Sequence, residues 1–324
     1  MENRLERKEL RRTSSIMAWA VLAYYGIMNA AVLLVDVPLI VYRMMKALIS
    51  GDILDPLEAN DMVMEIVMGN GWGYLLAVAV GSLILWLWKG NAFCFREMWH
   101  RERRMDAGSF FSLLAVFVSG QMVVQIVSPL IEWVLNLFGF SAMAALETAT
   151  MEVDTLSMFL YVALIGPVAE EVLFRGLVLR SLQPYGKRLA IVASAVMFGV
   201  FHGNVIQIPY AFAVGLVLGY AAAEFSILWA IVLHLFNNFV LSFVMSKVTA
   251  PLPEAVAGGI FLLIIAAFTV AAVCVLIVQR REVAAYFREN RVAEKRFGAF
   301  FSSVGVIVLL AVMLLFAVFT ITKL

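Results

Sequence analysis

Residues 155–180 read TLSMFLYVALIGPVAEEVLFRGLVLR. The stretch is apolar over a length that can cross the hydrocarbon core of a bilayer, which takes about 20 helical residues. Yet it holds two adjacent carboxylates, Glu170 and Glu171, and a cation, Arg175. Ionisable groups at such depth cost about 2.5–3.5 kcal/mol each on insertion scales, and they mark either function or a buried pair. Fold and chemistry are posed together by these 26 residues.

The rest of the chain has the same character. It is 63% hydrophobic and 15% charged, with a mean hydropathy of +0.94. A soluble domain carries about 25% charged residues, so the apolar excess has to face lipid. The apolar residues fall into nine segments: 15–42, 72–89, 109–138, 155–180, 188–202, 205–223, 226–246, 256–278 and 298–321. Between them the charges alternate in sign. The N-terminus (Arg4, Arg7, Lys8, Arg11, Arg12), segment 89–108 (Lys89, Arg96, Arg101, Arg103, Arg104), the turn at Arg180, Lys187 and Arg188, and segment 279–297 (Arg280, Arg281, Arg288, Arg291, Lys295, Arg296) are basic. The 43–71 loop is mainly acidic (Asp52, Asp55, Glu58, Asp61, Glu65), and 139–154 has Glu147, Glu152 and Asp154 without Lys or Arg. Basic loops stay cytoplasmic, and nine spans with the N-terminus inside put every basic cluster on that side. An eight-span count breaks the alternation. The predicted fold is therefore an all-α polytopic transmembrane bundle of about nine spans, with eight the alternative, and a cytoplasmic N-terminus. It divides into N-terminal helices (1–154), a core (155–246) and C-terminal helices with a basic connection (247–324).

A net charge of +1 gives no reason to expect nucleic acid as a partner; lipid is the expected one. Cys94 and Cys274 lie in separate apolar stretches and suggest neither a disulfide framework nor a zinc motif. The apolar run Ile16 to Val41 is too long for a signal-peptide core, so the first helix is expected to be retained. Span 188–202 reaches only about 20 Å at 1.5 Å per residue and ends at Gly203-Asn204, a helix-stopping pair. The fifth and sixth helices are thus expected to meet below the outer surface, around a wet cavity. The charged stretch 279–298 reads as an interfacial helix or a solvated connection.

Polar groups inside the membrane concentrate on three successive segments: Glu170, Glu171 and Arg175; Phe198 and His202; His234, Asn237 and Asn238. Glu171 and Arg175 are four apart, share a face and can neutralise each other. Glu170 points about 100° away and lacks a local cation, which suits a carboxylate that exchanges a proton with a reacting group. His234 and Asn238 are four apart and can donate to a developing oxyanion together. At 1.5 Å per residue, Glu170, His202 and His234 lie at depths of about 15, 20 and 10 Å from the inner boundary, so they can meet in one cavity. Gln121 and Gln125 read as inter-helix hydrogen-bonding groups, Asn237 as packing, His100 as solvated, and Asp36 and Glu132 as residues near span ends.

The series Glu-Glu-x-x-x-Arg, Phe-x-x-x-His and His-x-x-x-Asn, in this order on successive hydrophobic segments, resembles the CaaX-protease and bacteriocin-processing (CPBP, or Abi) family, which includes the type II CaaX prenyl endopeptidases. The resemblance covers roughly Phe159 to Met245. It implies an intramembrane endopeptidase in which Glu170 and His202 activate a water for attack on a peptide carbonyl. His234 and Asn238 would stabilise the tetrahedral oxyanion, and Glu171, Arg175 and Phe198 would support the site. It implies a peptide or membrane-protein substrate and a multi-pass protein of a cell membrane, with a bacterial plasma membrane the expected one. No cofactor is expected; the alternative is a zinc ion on Glu170, His202 and His234. Other functions left open are a non-catalytic immunity or scaffold protein of the same fold, and a proton-coupled transporter, although the paired broken repeats common in transporters are not seen.

Overall fold

The computed structural model describes residues 4–51, 55–150 and 153–324. Asp52 and Glu152 of the two acidic segments lie outside the described residues. Among the described residues the regular structure is helical apart from one two-residue antiparallel pairing of Phe140–Ser141 with Thr322–Lys323. The helices are α1 (Arg4–Ser50), α2 (Pro56–Gly69), α3 (Trp72–Glu97), α4 (Ala107–Asn136), α5 (Met143–Thr150), α6 (Leu156–Tyr185), α7 (Lys187–Phe201), α8 (Gln207–Glu224), α9 (Ile227–Thr249), α10 (Glu254–Val278), α11 (Arg280–Glu289), α12 (Glu294–Phe301) and α13 (Val304–Phe319).

All nine apolar segments are helical. Among the described residues, six are long and apolar enough to cross a bilayer alone: α1, α3, α4, α6, α9 and α10. The pair α12–α13, bent by 63°, gives a seventh when taken as one span. The difference from nine lies in α7 and α8. Helix α7 has only 15 residues and stops where Gly203 turns to φ +55°, while the 18 residues of α8 begin with Gln207 and Pro209 and end at Glu224. The two pack as a hairpin through small residues. A Cβ on Gly199 would stand 3.1 Å from the Ile208 carbonyl oxygen, and one on Gly215 would stand 3.3 Å from Ala195 Cα. Such close backbone approach is the usual way helices associate in lipid, where there is no hydrophobic drive between them.

The loops sort to two ends. At the basic end, Arg296 pairs with Glu6 at 2.6 Å, Arg180 donates to the His100 carbonyl at 2.7 Å, and Lys187 pairs with Glu224 at 3.1 Å. Helix α11 docks here, with the Tyr286 hydroxyl donating to Glu224 at 3.2 Å; burial, together with that carboxylate, raises the phenol's pKa. On the same end Asp106 caps α4, and the Ser109 amide and hydroxyl hold its carboxyl below the usual carboxylate range. At the opposite end Asn70 donates to Asp36, the Gly71 amide donates to the Ser157 hydroxyl, and the Lys323 segment pairs with Phe140. Asp36, read from the sequence as near a span end, lies at this end of the bundle. Helix α1 runs on to Ser50, so residue 36 is interior, 2% exposed and covered by Asn70.

The tightest packing lies toward the basic end. Val178, Leu179, Leu182, Leu189, Ala190, Leu218, Ala222 and Leu233 are fully buried where α6, α7, α8 and α9 meet.

Candidate active site

Helix α6 is α-helical over Gly166–Glu171 and widens into π-helical turns on either side, Leu160–Ile165 and Val172–Leu179. Helix α9 does the same over Phe236–Val244, immediately after His234. Such π turns inside α-helices are frequent at functional sites because they re-aim side chains and release backbone groups. In α6 the Gly166 amide reaches back to the Tyr161 carbonyl, and the next residue, Pro167, has no N–H to give. The Val162 carbonyl is thereby left for another donor, and Asn238 Nδ2 supplies it at 2.9 Å.

Glu170, Phe198, His202, His234 and Asn238 all line one cavity of about 450 Å³, enclosed by α4, α6, α7, α8, α9 and α10. Glu171 and Arg175 lie behind it, fully buried, and pair at 2.9 Å. Arg175 also donates to the Gly215 carbonyl at 3.1 Å, and its guanidinium lies 4.3 Å from the Phe198 ring centroid. Phe198 in turn meets both imidazoles edge-on, at 4.9 Å from His202 and 5.8 Å from His234. One aromatic ring thus sets the spacing of the cation and the two histidines.

The partners of each imidazole fix its protons. His202 Nδ1 lies 2.9 Å from the Phe198 carbonyl, which can only accept; Nδ1 carries the hydrogen and Nε2 is the free acceptor. His234 Nδ1 lies 2.9 Å from Glu171 Oε1, already engaged by Arg175, so Nδ1 donates there too. Its Nε2 faces Glu170 Oε2 at 3.7 Å. Glu170 therefore has an imidazole beside it where helix geometry alone left it without a cation. Held this way, His234 can donate from Nε2 only as the imidazolium, and Glu170 and Glu171 together then balance its charge and that of Arg175.

Asn237, read from the sequence as packing, belongs to the cavity wall. In a straight α-helix it points about 100° from Asn238, yet within this π-helical stretch both residues line the cavity. Asn237 Nδ2 donates to Asn238 Oδ1 at 3.0 Å, and its own Oδ1 accepts from Tyr210 Oη and from Gln121 Nε2, each at 2.8 Å. Gln121 is the inter-helix group the sequence suggested. Tyr210 was passed over, because a lone tyrosine in an apolar helix carries no pattern. This chain of amides orients the Asn238 carboxamide, and its second N–H has no partner among the described residues.

Glu170, His202 and His234, the alternative zinc set, all line this cavity. Among the described residues no three His, Cys, Asp or Glu side chains form a group that could hold a metal ion.

The site thus belongs to a polytopic helical membrane protein with a glutamate, two histidines and an asparagine gathered inside its bundle. Residues 152–240 match the family model described as type II CAAX prenyl endopeptidase Rce1-like. The match over that stretch is consistent with the CPBP resemblance seen in the chain's motifs. The match spans the segments that supply all four cavity groups. No curated protein and no solved structure gives a significant match.

Proposed function

We propose that this protein is an intramembrane endopeptidase that hydrolyses a peptide bond of a membrane-associated peptide or protein. The observation that carries the reading is the convergence of Glu170, His202, His234 and Asn238 on one cavity, within the stretch that matches the Rce1-like model. A water held between Glu170 and His202 Nε2 attacks the scissile carbonyl carbon as Glu170 takes its proton. Negative charge moves to the carbonyl oxygen and meets Nε2–H of the His234 imidazolium and the free N–H of Asn238. The intermediate collapses, the C–N bond breaks, and the departing amine takes the proton back from Glu170. Glu171, Arg175 and Phe198 touch none of the reacting atoms; they hold His234 and His202 in place. No step calls on a metal.

Cleavage of a membrane-peptide library by the purified protein in nanodiscs, wild type beside Glu170→Gln, tests the reading. Replacing a general base is expected to cost at least about 10²–10⁴-fold in rate, with unchanged insertion and elution profile. A zinc chelator is expected to leave wild-type cleavage as it was. Equal product from both proteins would remove Glu170 from the reaction. No product from a well-folded wild type across a diverse library would favour a non-catalytic scaffold.

A further inference from the structure

The cavity occupies one half of the bundle. From Glu170 and His234 its lining runs through Leu241 and Ser242 to Ser246 and Lys247 at the end of α9, and reaches Val153 just before α6. No residue from segments 89–108, 180–188 or 279–297 lines it. Toward the basic end it is closed off. Directly behind Glu170 sit the fully buried Glu171–Arg175 pair and Phe174, followed by Val178, Leu179 and Leu182 at zero exposure.

The sign of the two ends is equally uneven. Every Lys and Arg of the chain lies at the closed end except Arg43, Lys46, Lys247 and Lys323 at the open end, and Arg175 in the interior. Three of those four sit beside acidic segments or outer-end loops: Arg43 pairs with Glu65 at 3.4 Å, Lys247 with Asp154 at 3.5 Å, and Lys323 joins the Phe140 pairing. Positive charge beside spans marks the cytoplasmic face.

From the cavity's course and the charge bias together, we infer that the site is entered from the face opposite the cytoplasmic one. Its substrate is then a peptide segment lying on, or emerging at, the extracytoplasmic side. The inference rests on the proposed hydrolysis only for the word substrate; the side of entry stands on geometry and charge. A peptide approaching from the cytoplasm meets the buried ion pair and a packed core. One approaching from the other face follows α9 past Ser246 to the Glu170 carboxylate.

Cysteine labelling decides the side. Cys94 and Cys274, the chain's two cysteines, are first replaced by serine. Single cysteines are then placed at Ser246 and Lys247 on the rim, at Ser242 further in, and at Ser181 among the basic groups of the closed end. A membrane-impermeant maleimide is applied to intact cells and to inverted vesicles. Ser246→Cys, Lys247→Cys and Ser242→Cys are expected to be labelled in cells, and Ser181→Cys in inverted vesicles alone. Any other distribution of label overturns the inference, including a Ser242→Cys that only inverted vesicles label or that neither preparation labels. Two rim positions guard against one variant failing to insert. The readout is independent of turnover. Outer labelling without hydrolysis removes the protease reading and leaves the entrance, whereas inner labelling with hydrolysis does the reverse.

Discussion

His234 is gripped by two carboxylates that are not equivalent. Glu171 is fully buried and shared with Arg175, whereas Glu170 lines the cavity. Glu171→Gln leaves the Arg175 guanidinium buried without a counter-charge, a change that costs about 3–5 kcal/mol when one partner of a buried pair is removed. It is expected to lower thermal stability sharply in detergent and to lower hydrolysis, because His234 Nδ1 loses the carboxylate that orients it. Glu170→Gln is expected to lower hydrolysis alone; equal melting shifts for the two variants would sink this division of labour. Tyr210→Phe tests the amide chain more gently. It deletes the hydroxyl that donates to Asn237 and accepts from Gln121, bonds worth about 0.5–1.5 kcal/mol each. We expect kcat to fall severalfold with KM nearly unchanged, since Asn238 loses orientation but the cavity keeps its shape. A change in KM alone would make Tyr210 a substrate contact instead. That Glu170, His202, His234 and Asn238 could share a cavity was legible in the sequence because polar groups in lipid are costly and they fall into a spaced pattern. Asn237 and Tyr210 were not, because their roles depend on a π turn and on a neighbouring helix, neither of which a local period reveals.

The elements that carry the site are irregular, and those that surround it are regular but closely set. Helices α6 and α9 widen next to the reacting groups, and the cost of the broken hydrogen-bond pattern is offset by side chains such as Asn238. Helices α1 and α3, by contrast, touch backbone to backbone. A Cβ added to Gly73 would stand 2.6 Å from Val32 Cα, and backbone cannot move aside as a flexible side chain can. Gly73→Ala is therefore expected to force the two helices apart at a cost of about 1–3 kcal/mol, the usual range for overpacking. It should appear as earlier thermal unfolding with unchanged specific activity in the protein that remains folded, since Gly73 is not part of the cavity lining. No loss of stability would mean that the α1–α3 contact is looser than its geometry. The existence and order of these helices were readable from apolar length alone. Whether α7 and α8 each cross was not, because hydropathy counts residues and cannot weigh a hairpin held by Gly199, Gly215 and partner helices on both sides.

For the whole molecule, the parity of the crossings matters more than their number. Helices α7 and α8 enter and return together, so counting both or neither leaves the two ends of the chain where they were. The pair α12–α13 decides the matter. If α13 crosses, the total is seven or nine and the termini lie on opposite faces; if it does not, the total is six or eight and they lie together. Helix α12 joins the basic end through Arg296 and Glu6, and α13 ends where Thr322 and Lys323 pair with Ser141 and Phe140 at the other end. Helix α13 also packs along α1, the Gly305 amide donating to the Ser15 hydroxyl at 2.9 Å near its start and Phe316 meeting Tyr25 at 5.4 Å near its end. It therefore runs the depth of the bundle, and an odd count is expected. A reporter active only outside the cytoplasm, fused after Leu324, is expected to be active, and a reporter that matures only in the cytoplasm, fused at the same point, is expected to be dark. Fused before Met1, the two should exchange behaviour. The same signal at both ends would make the count even, return α13 to one face, and separate the Lys323 segment from Phe140 and Ser141, with which it now pairs.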